Sequence, residues 1–217
     1  MIIHQIWLGP NPQPNIWLDT VKKFCNEYKY EYKLWTENNI NFNLKNKVLF
    51  DNEKSYAGKS DILRYEILYN FGGIYIDADS VIINYNRFNK LILHYVKHYN
   101  NKLLLGKEIN NSLLANGVLF ASKRNYILKK AINLLPKRDN KLENWKWCGP
   151  LLLTDIYNKY KNKKKLFKIL SSKIFYPFGW HGNSSIDCHL TLTFPKKSVM
   201  FQYGYSTNNL SKFFNEK

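Results

Sequence analysis

The chain has 217 residues, 45% of them hydrophobic and 16% aromatic, which excludes a disordered segment and suffices for one substantial core. Lys and Arg outnumber Asp and Glu by 33 to 16, a formal charge of +17, so non-specific binding to nucleic acid has to be weighed. No apolar run approaches the roughly 20 residues a bilayer span needs, and Cys25, Cys148 and Cys188 are odd in number without metal-ligand spacing, which points to reduced thiols.

In chain order, residues 2–8 read as a strand, 14–28 as a helix and 30–35 as a second strand. A helix over 60–70 follows. Ser60 is its expected N-cap, Asp61 sits in its first turn where negative charge is favoured, and Gly72-Gly73 stops it. Strands are expected at 73–77, 103–106, 117–121 and 198–203, and helices at 124–135 and 149–160, the last opened by Gly149-Pro150. No repeat or linker divides the chain, so the expectation is one α/β domain over residues 1–217.

The densest chemistry lies in AGKSDILRYEILYNFGGIYIDADS, residues 57–80. Asp61 and Arg64 are three residues apart and share a helix face, where they can address one ligand together. Ile74, Tyr75 and Ile76 form a short buried strand, and Asp77 and Asp79 fall at its end on one side. Paired carboxylates at the carboxyl end of a strand in an α/β sheet suit Mn²⁺ or Mg²⁺, hard cations that take oxygen ligands and substrate phosphates. An isolated Asp-X-Asp also occurs in ordinary surface loops. Here an Asp/Arg helix face and a Gly-Gly stop precede it.

This stretch resembles the core of glycosyltransferase family 32, the DXD-containing sugar transferases, and more distantly the catalytic domains of the large clostridial glucosylating toxins. IIHQIWLG at 2–9, YEYKLWTE at 30–37, ANGVLFASK at 115–123, CGPLLLTD at 148–155 and FYP at 175–177 are similar in order and spacing, so the resemblance covers nearly the whole chain. It implies a GT-A fold with a mixed central sheet flanked by helices. It also implies a nucleotide-sugar donor, a divalent metal and transfer with retention, as in polysaccharide biosynthesis. By the same resemblance Trp7 stacks on the donor's base, which favours UDP over GDP. Asp61 and Arg64 contact the donor's sugar and phosphates as the catalytic pair, and Tyr75 lies beside the ribose. Asp77 is the first DXD acid, reaching the donor through ribose, sugar or metal, and Asp79 binds the metal directly. The family's closing His- and Trp-containing segment corresponds best to FQYGYST at 201–207, with Gln202, Tyr203 and Ser206 in those places; Ser206 is kept, and the His and Trp are not. His181, Asn183, Asp187 and His189 are substitutes in principle for the missing ligand.

Thr36 at the end of the second strand is a candidate nucleotide contact, with Trp35 beside it as an edge aromatic. Trp145, Trp147 and Trp180 are candidate sugar platforms, and Asn116 and Gly117 candidate lining of the sugar pocket. The basic residues are dispersed. Their densest cluster, KYKNKKKLFK at 159–168, reads as a helix end and its solvated turn, with an anionic membrane surface or acidic glycan as the next reading and no specific nucleic acid expected. Without a secretory signal or anchor, a cytoplasmic enzyme is expected, or one at the cytoplasmic face of a membrane. Its partners would be a nucleotide-sugar donor and a glycan or glycolipid acceptor. Two other readings use the same residues: a nucleotide-sugar hydrolase or phosphodiesterase that delivers water, and a non-catalytic basic binding module on a transferase scaffold.

Overall fold

The structure is a computed structural model, and it describes residues 1–109, 113–163, 165–178, 187–206 and 208–213. Six strands form the central sheet: β1 (Ile2–Ile6), β2 (Glu31–Trp35), β3 (Gly73–Ile76), β5 (Leu103–Lys107), β6 (Leu114–Ala121) and β7 (Phe167–Leu170). Their order is β2-β1-β3-β6-β5-β7. β1 runs parallel to β2 and β3, β5 parallel to β7, and β6 antiparallel to both of its neighbours. Hence the carboxyl ends of β1 and β3 and the amino end of β6 meet at one edge of the sheet.

Alternation along the strands fills a core on each face. Ile74 and Ile76 of β3, Leu104 of β5 and Phe120 of β6 pack on one side with α1 (Asn15–Tyr28) and α4 (Tyr85–Tyr99). Tyr75, Leu103, Leu105 and Leu119 face the other, beneath α3 (Tyr56–Phe71), α5 (Tyr126–Leu134) and α7 (Pro150–Tyr160). Short helices α2 (Lys47–Asn52), α6 (Asn144–Trp147) and α8 (Ser172–Phe175) complete the layers. A separate two-stranded sheet pairs β4 (Ser80–Ile82) with β8 (Met200–Gln202) over Trp17, Val81, Phe201 and Tyr203. Among the described residues no helix is long and apolar enough to cross a membrane.

The expected strands and helices are all present, with ends moved by a few residues. One boundary matters to the site. Helix α3 starts at Tyr56, capped by Ser55, whose Oγ accepts from the Gly58 N–H at 2.9 Å. Ser60 is not the cap, and Asp61 stands in the second turn, beyond the reach of the orphan N–H groups. At the other end Gly72 and Gly73 have φ of +68° and +102°. A Cβ on Gly73 would stand 2.3 Å from the Ile2 carbonyl oxygen, so β1 can pair with β3 only because no side chain is there. Buried His4 ties the same corner: its Nε2 meets the Gly72 carbonyl at 2.9 Å, and its Nδ1 accepts from the Trp35 indole at 3.1 Å. Elements not expected from the sequence are α4, α2, β4, β7 and the one-turn helices.

Candidate active site

A cleft of about 790 Å³ opens where β1, β3 and β6 meet, within the usual range for small-molecule sites. Trp7 follows β1, Asp61 and Arg64 come from α3, Tyr75 lies on β3, Asp77 and Asp79 in the turn after it, and Asn116 and Gly117 on β6. Gln202 and Ser206 line it from the β8 side, and Trp145, 44% exposed, from the α6 side.

At its floor is a buried ion cluster. Arg64, 4% exposed, places Nη2 3.0 Å from Asp61 Oδ1 and 3.1 Å from Asp77 Oδ1. Its Nη1 donates to the Asn116 carbonyl at 2.8 Å, its Nε to the Ser60 carbonyl at 3.2 Å, and its Cζ lies 4.5 Å from the Tyr75 ring centre. The guanidinium thus holds both carboxylates through Nη2 and is itself anchored by two backbone carbonyls through Nη1 and Nε. Asp61 Oδ1 also accepts from Asn116 Nδ2 at 2.7 Å, and the same amide approaches Tyr65 Oη at 3.2 Å. Burial pushes the Asp61 carboxyl up to about 6 against the pull of Arg64. Tyr75 donates from its hydroxyl to Asp77 Oδ1 at 2.7 Å.

The two DXD acids are bridged by one side chain. Gln202 Nε2 donates to Asp77 Oδ2 at 2.8 Å and to Asp79 Oδ1 at 3.0 Å, while its Oε1 is buried without a hydrogen-bond partner. Asp79 Oδ2 accepts from the Tyr205 N–H at 2.7 Å. Burial, and next the charge of Asp77, push the Asp79 carboxyl up to about 6. Gly117 is the floor under this bridge: a Cβ there would lie 2.5 Å from Asp77 Oδ2 and 3.0 Å from Gln202 Oε1. Gly149 has the same relation to Asp61, whose Oδ2 would stand 3.0 Å from an added Cβ.

Trp7 is half-buried just past its strand. Its indole donates to the Asn11 carbonyl at 2.9 Å, Asn11 Nδ2 donates to the Tyr205 hydroxyl at 3.1 Å, and the Tyr205 ring stands edge-on to Trp7 at 5.2 Å. One segment, residues 203–206, therefore touches both the acid pair and the aromatic wall.

Several expected residues lie elsewhere. Thr36 is outside the cleft lining; its N–H donates to Asn39 Oδ1 at 2.9 Å in the turn after β2. Trp35 is core, donating to His4, and Trp147, the last residue of α6, is buried. Tyr203 is turned away to stack on Trp17 at 4.5 Å, and His189 pairs with the Tyr203 hydroxyl outside the cleft. Asp187 does not line it either. Trp180, His181 and Asn183 fall outside the described residues. Tyr205, Tyr65 and Cys148, whose Sγ is 3.9 Å from Asp61 Oδ2, adjoin the site although the sequence does not mark them as site residues.

Comparison with known proteins shows what this arrangement resembles. Residues 14–97 match the model for the glycosyltransferase sugar-binding region containing a DXD motif. Inositol phosphoceramide mannosyltransferase 3 of Schizosaccharomyces pombe is 28% identical over 142 residues, 63% of this chain and 37% of that protein. Uncharacterized glycosyltransferase L373 of Acanthamoeba polyphaga mimivirus is 38% identical over 88 residues, 37% of this chain and 35% of that protein. The matches thus span little more than a third of these relatives' lengths. Among solved structures, a glycosyltransferase involved in glycosylation of the major capsid of PBCV-1 superposes with a TM-score of 0.55 at 12% identity, covering 98% of this chain and 100% of that one. Over residues 14–97 the chain is thus similar to the DXD-containing glycosyltransferase sugar-binding region, and its overall fold is GT-A.

Proposed function

We propose that the protein is a metal-dependent glycosyltransferase. It moves a sugar from a nucleoside-diphosphate sugar, a UDP-sugar in preference to a GDP-sugar, to a hydroxyl of a glycan or glycolipid, with retention at the anomeric carbon. The observation that carries metal dependence is electrostatic. The described lining of the cleft holds four carboxylates, Asp61, Asp77, Asp79 and Glu108, against one cationic side chain, Arg64, in a protein of net charge +17. A diphosphate entering that lining meets net negative charge at short range in a low dielectric, which is prohibitive unless a cation comes with it. The donors present fit a hard divalent ion. Asp77 and Asp79 offer oxygens side by side, and a half-turn of the Gln202 amide would present its orphaned oxygen to the same point. Asp77 and Asp79 would hold Mn²⁺ or Mg²⁺, which when bound supplies charge stabilisation to the departing diphosphate.

The remaining roles follow from the residues themselves. Trp7, with Tyr205 at its edge, offers a wall for the base. Arg64 keeps Asp61 and Asp77 in place and leaves its own positive charge beneath the phosphates. Asp61, held by Asn116 and Arg64, faces the sugar. In the transfer the bond from the anomeric carbon to the diphosphate oxygen breaks, the acceptor oxygen bonds to that carbon, and the acceptor's proton passes to the departing phosphate. No histidine among the described residues lines the cleft to act as a base instead.

The yeast relative is named for mannosyl transfer to a phosphoceramide, which agrees with a lipid-linked acceptor. Free thiols at Cys25, Cys148 and Cys188 agree with a cytoplasmic, reducing setting. Calorimetric titration of Asp79→Ala tests the reading. Loss of Mn²⁺-dependent donor binding with an unchanged circular dichroism spectrum is expected; wild-type affinity would overturn it.

A further inference from the structure

Charge is distributed unevenly along this chain. Residues 80–107 carry Arg87, Lys90, Lys97, Lys102 and Lys107, and residues 156–186 carry seven lysines; neither segment has an Asp or Glu. These 59 of the 217 residues hold 12 of the 33 cationic side chains and none of the 16 acids. The fold brings described parts of the two segments together. β5 and β7 pair in parallel with Leu104 opposite Lys168, β7 is the last strand of the sheet, and α4 packs on the face beside β5. At the join, Lys102 and Lys168 place their ammonium groups 5.3 Å and 4.6 Å from the ring centre of Tyr99, with His94 and His98 next to it.

Helix α4 has two unlike faces. Phe88, Ile92 and Tyr95 are buried, at the spacing of one helix stripe. On the outer face Lys90, Leu93 and Lys97 follow at intervals of three and four, with Val96 beside them, so two lysines bracket two apolar side chains. Leu93 is 57% exposed and Val96 44%. From a packed neighbour, Glu27 on α1 is felt at Tyr85, in the first turn of this helix.

We propose that α4 and the adjoining β5–β7 edge form a docking surface for membranes containing anionic lipid. The charge complements a surface of phosphates and carboxylates, to which each lysine adds attraction. Leu93 and Val96 are the reason to choose a lipid surface over a polynucleotide: apolar side chains between lysines can enter the interface while the lysines reach outward to headgroups. This proposal stands apart from the catalytic reading, because none of its residues lines the cleft.

The test is co-sedimentation of the full chain with vesicles of phosphatidylcholine alone and with about one-third phosphatidylserine, at two salt concentrations. Binding to the anionic vesicles only, falling with salt, is expected. Lys90→Gln with Lys97→Gln should weaken it about 30-fold, from the loss of two attracted charges. Lys123→Gln with Lys129→Gln, equally exposed beside and on α5 across the sheet, should change it about threefold or less. Leu93→Ser with Val96→Ser should abolish the part that survives high salt. Equal loss in both lysine pairs, equal binding to neutral vesicles, salt-resistant binding unchanged by the serines, or displacement from vesicles by single-stranded polynucleotide would each overturn it.

Discussion

Gly117→Ala isolates the geometry of the acid pair from its chemistry. Gly117 lies in β6 without a positive φ, so alanine fits its backbone and lowers the entropy of the unfolded chain. The obstacle is crowding by Asp77 and, less severely, Gln202. The new methyl would stand 2.5 Å from Asp77 Oδ2, and reaching the 3.4 Å of ordinary contact needs a movement of about 0.9 Å. That carboxylate is not free to move, being held by Arg64, Tyr75 and Gln202 at 3.1, 2.7 and 2.8 Å. Displacement breaks the Gln202 bond, costing about 1 kcal/mol, and overpacking adds about 1–3 kcal/mol, partly offset by the alanine's entropy. A net fall of about 1–3 kcal/mol in stability is expected. Donor affinity should fall about 100-fold, since misplacing a site group by 1 Å has that order of effect. Urea unfolding with calorimetric titration of donor and Mn²⁺ measures both. Wild-type donor affinity in Gly117→Ala would refute the reasoning, for it would mean that the Asp77–Gln202–Asp79 arrangement is not the binding geometry.

Other perturbations probe the frame around the site. Arg64→Met leaves Asp61 and Asp77 buried without their cation and should cost about 3–5 kcal/mol in urea unfolding; a loss under about 1 kcal/mol would show the cluster is not held by charge. His4 is kept neutral, its pKa lowered by burial to about 4. The unfolded chain therefore binds the extra proton between pH 6.5 and about 4, so this contribution is full above 6.5 and is lost on acidification, about 2 kcal/mol between pH 7 and pH 5. His4→Gln should flatten that part of the pH dependence, and an unchanged slope would contradict it. Ser55→Ala should cost about 1 kcal/mol while Ser60→Ala is nearly neutral; the reverse order in thermal melts would return the cap to Ser60.

What could be read from the sequence was what is local. Gly72-Gly73, the run Ile74–Tyr75–Ile76 and the paired acids lie within eight residues, and each carries its own signal of turn, strand and charge. The start of α3 went astray because a serine stands at both 55 and 60, and the choice depends on which hydroxyl meets an N–H. Helix α4 was legible in principle from Phe88, Ile92 and Tyr95, with Asn84 accepting from the Arg87 N–H as its cap. The pairing of β4 with β8 was not, since it joins residues about 120 positions apart with three residues in each strand. Gln202 shows the same limit: the family resemblance aligns it with the closing segment, but only the fold shows its amide bridging both acids. Thr36 shows a related limit, because a strand end in sequence does not say which way the turn after it faces, and here its N–H turns to Asn39.

The most direct measurement is a thermal-shift panel of UDP- and GDP-sugars on the wild-type chain, each with Mn²⁺ and with EDTA. A ligand at 100 times its dissociation constant stabilises by about 2.7 kcal/mol, or about 5–10 °C for a chain of this size. A shift of that order with UDP-sugars and Mn²⁺, absent with EDTA, is the expected result. Equal shifts with and without metal, or none with any nucleotide-sugar, would contradict a metal-dependent donor site built on Asp77 and Asp79.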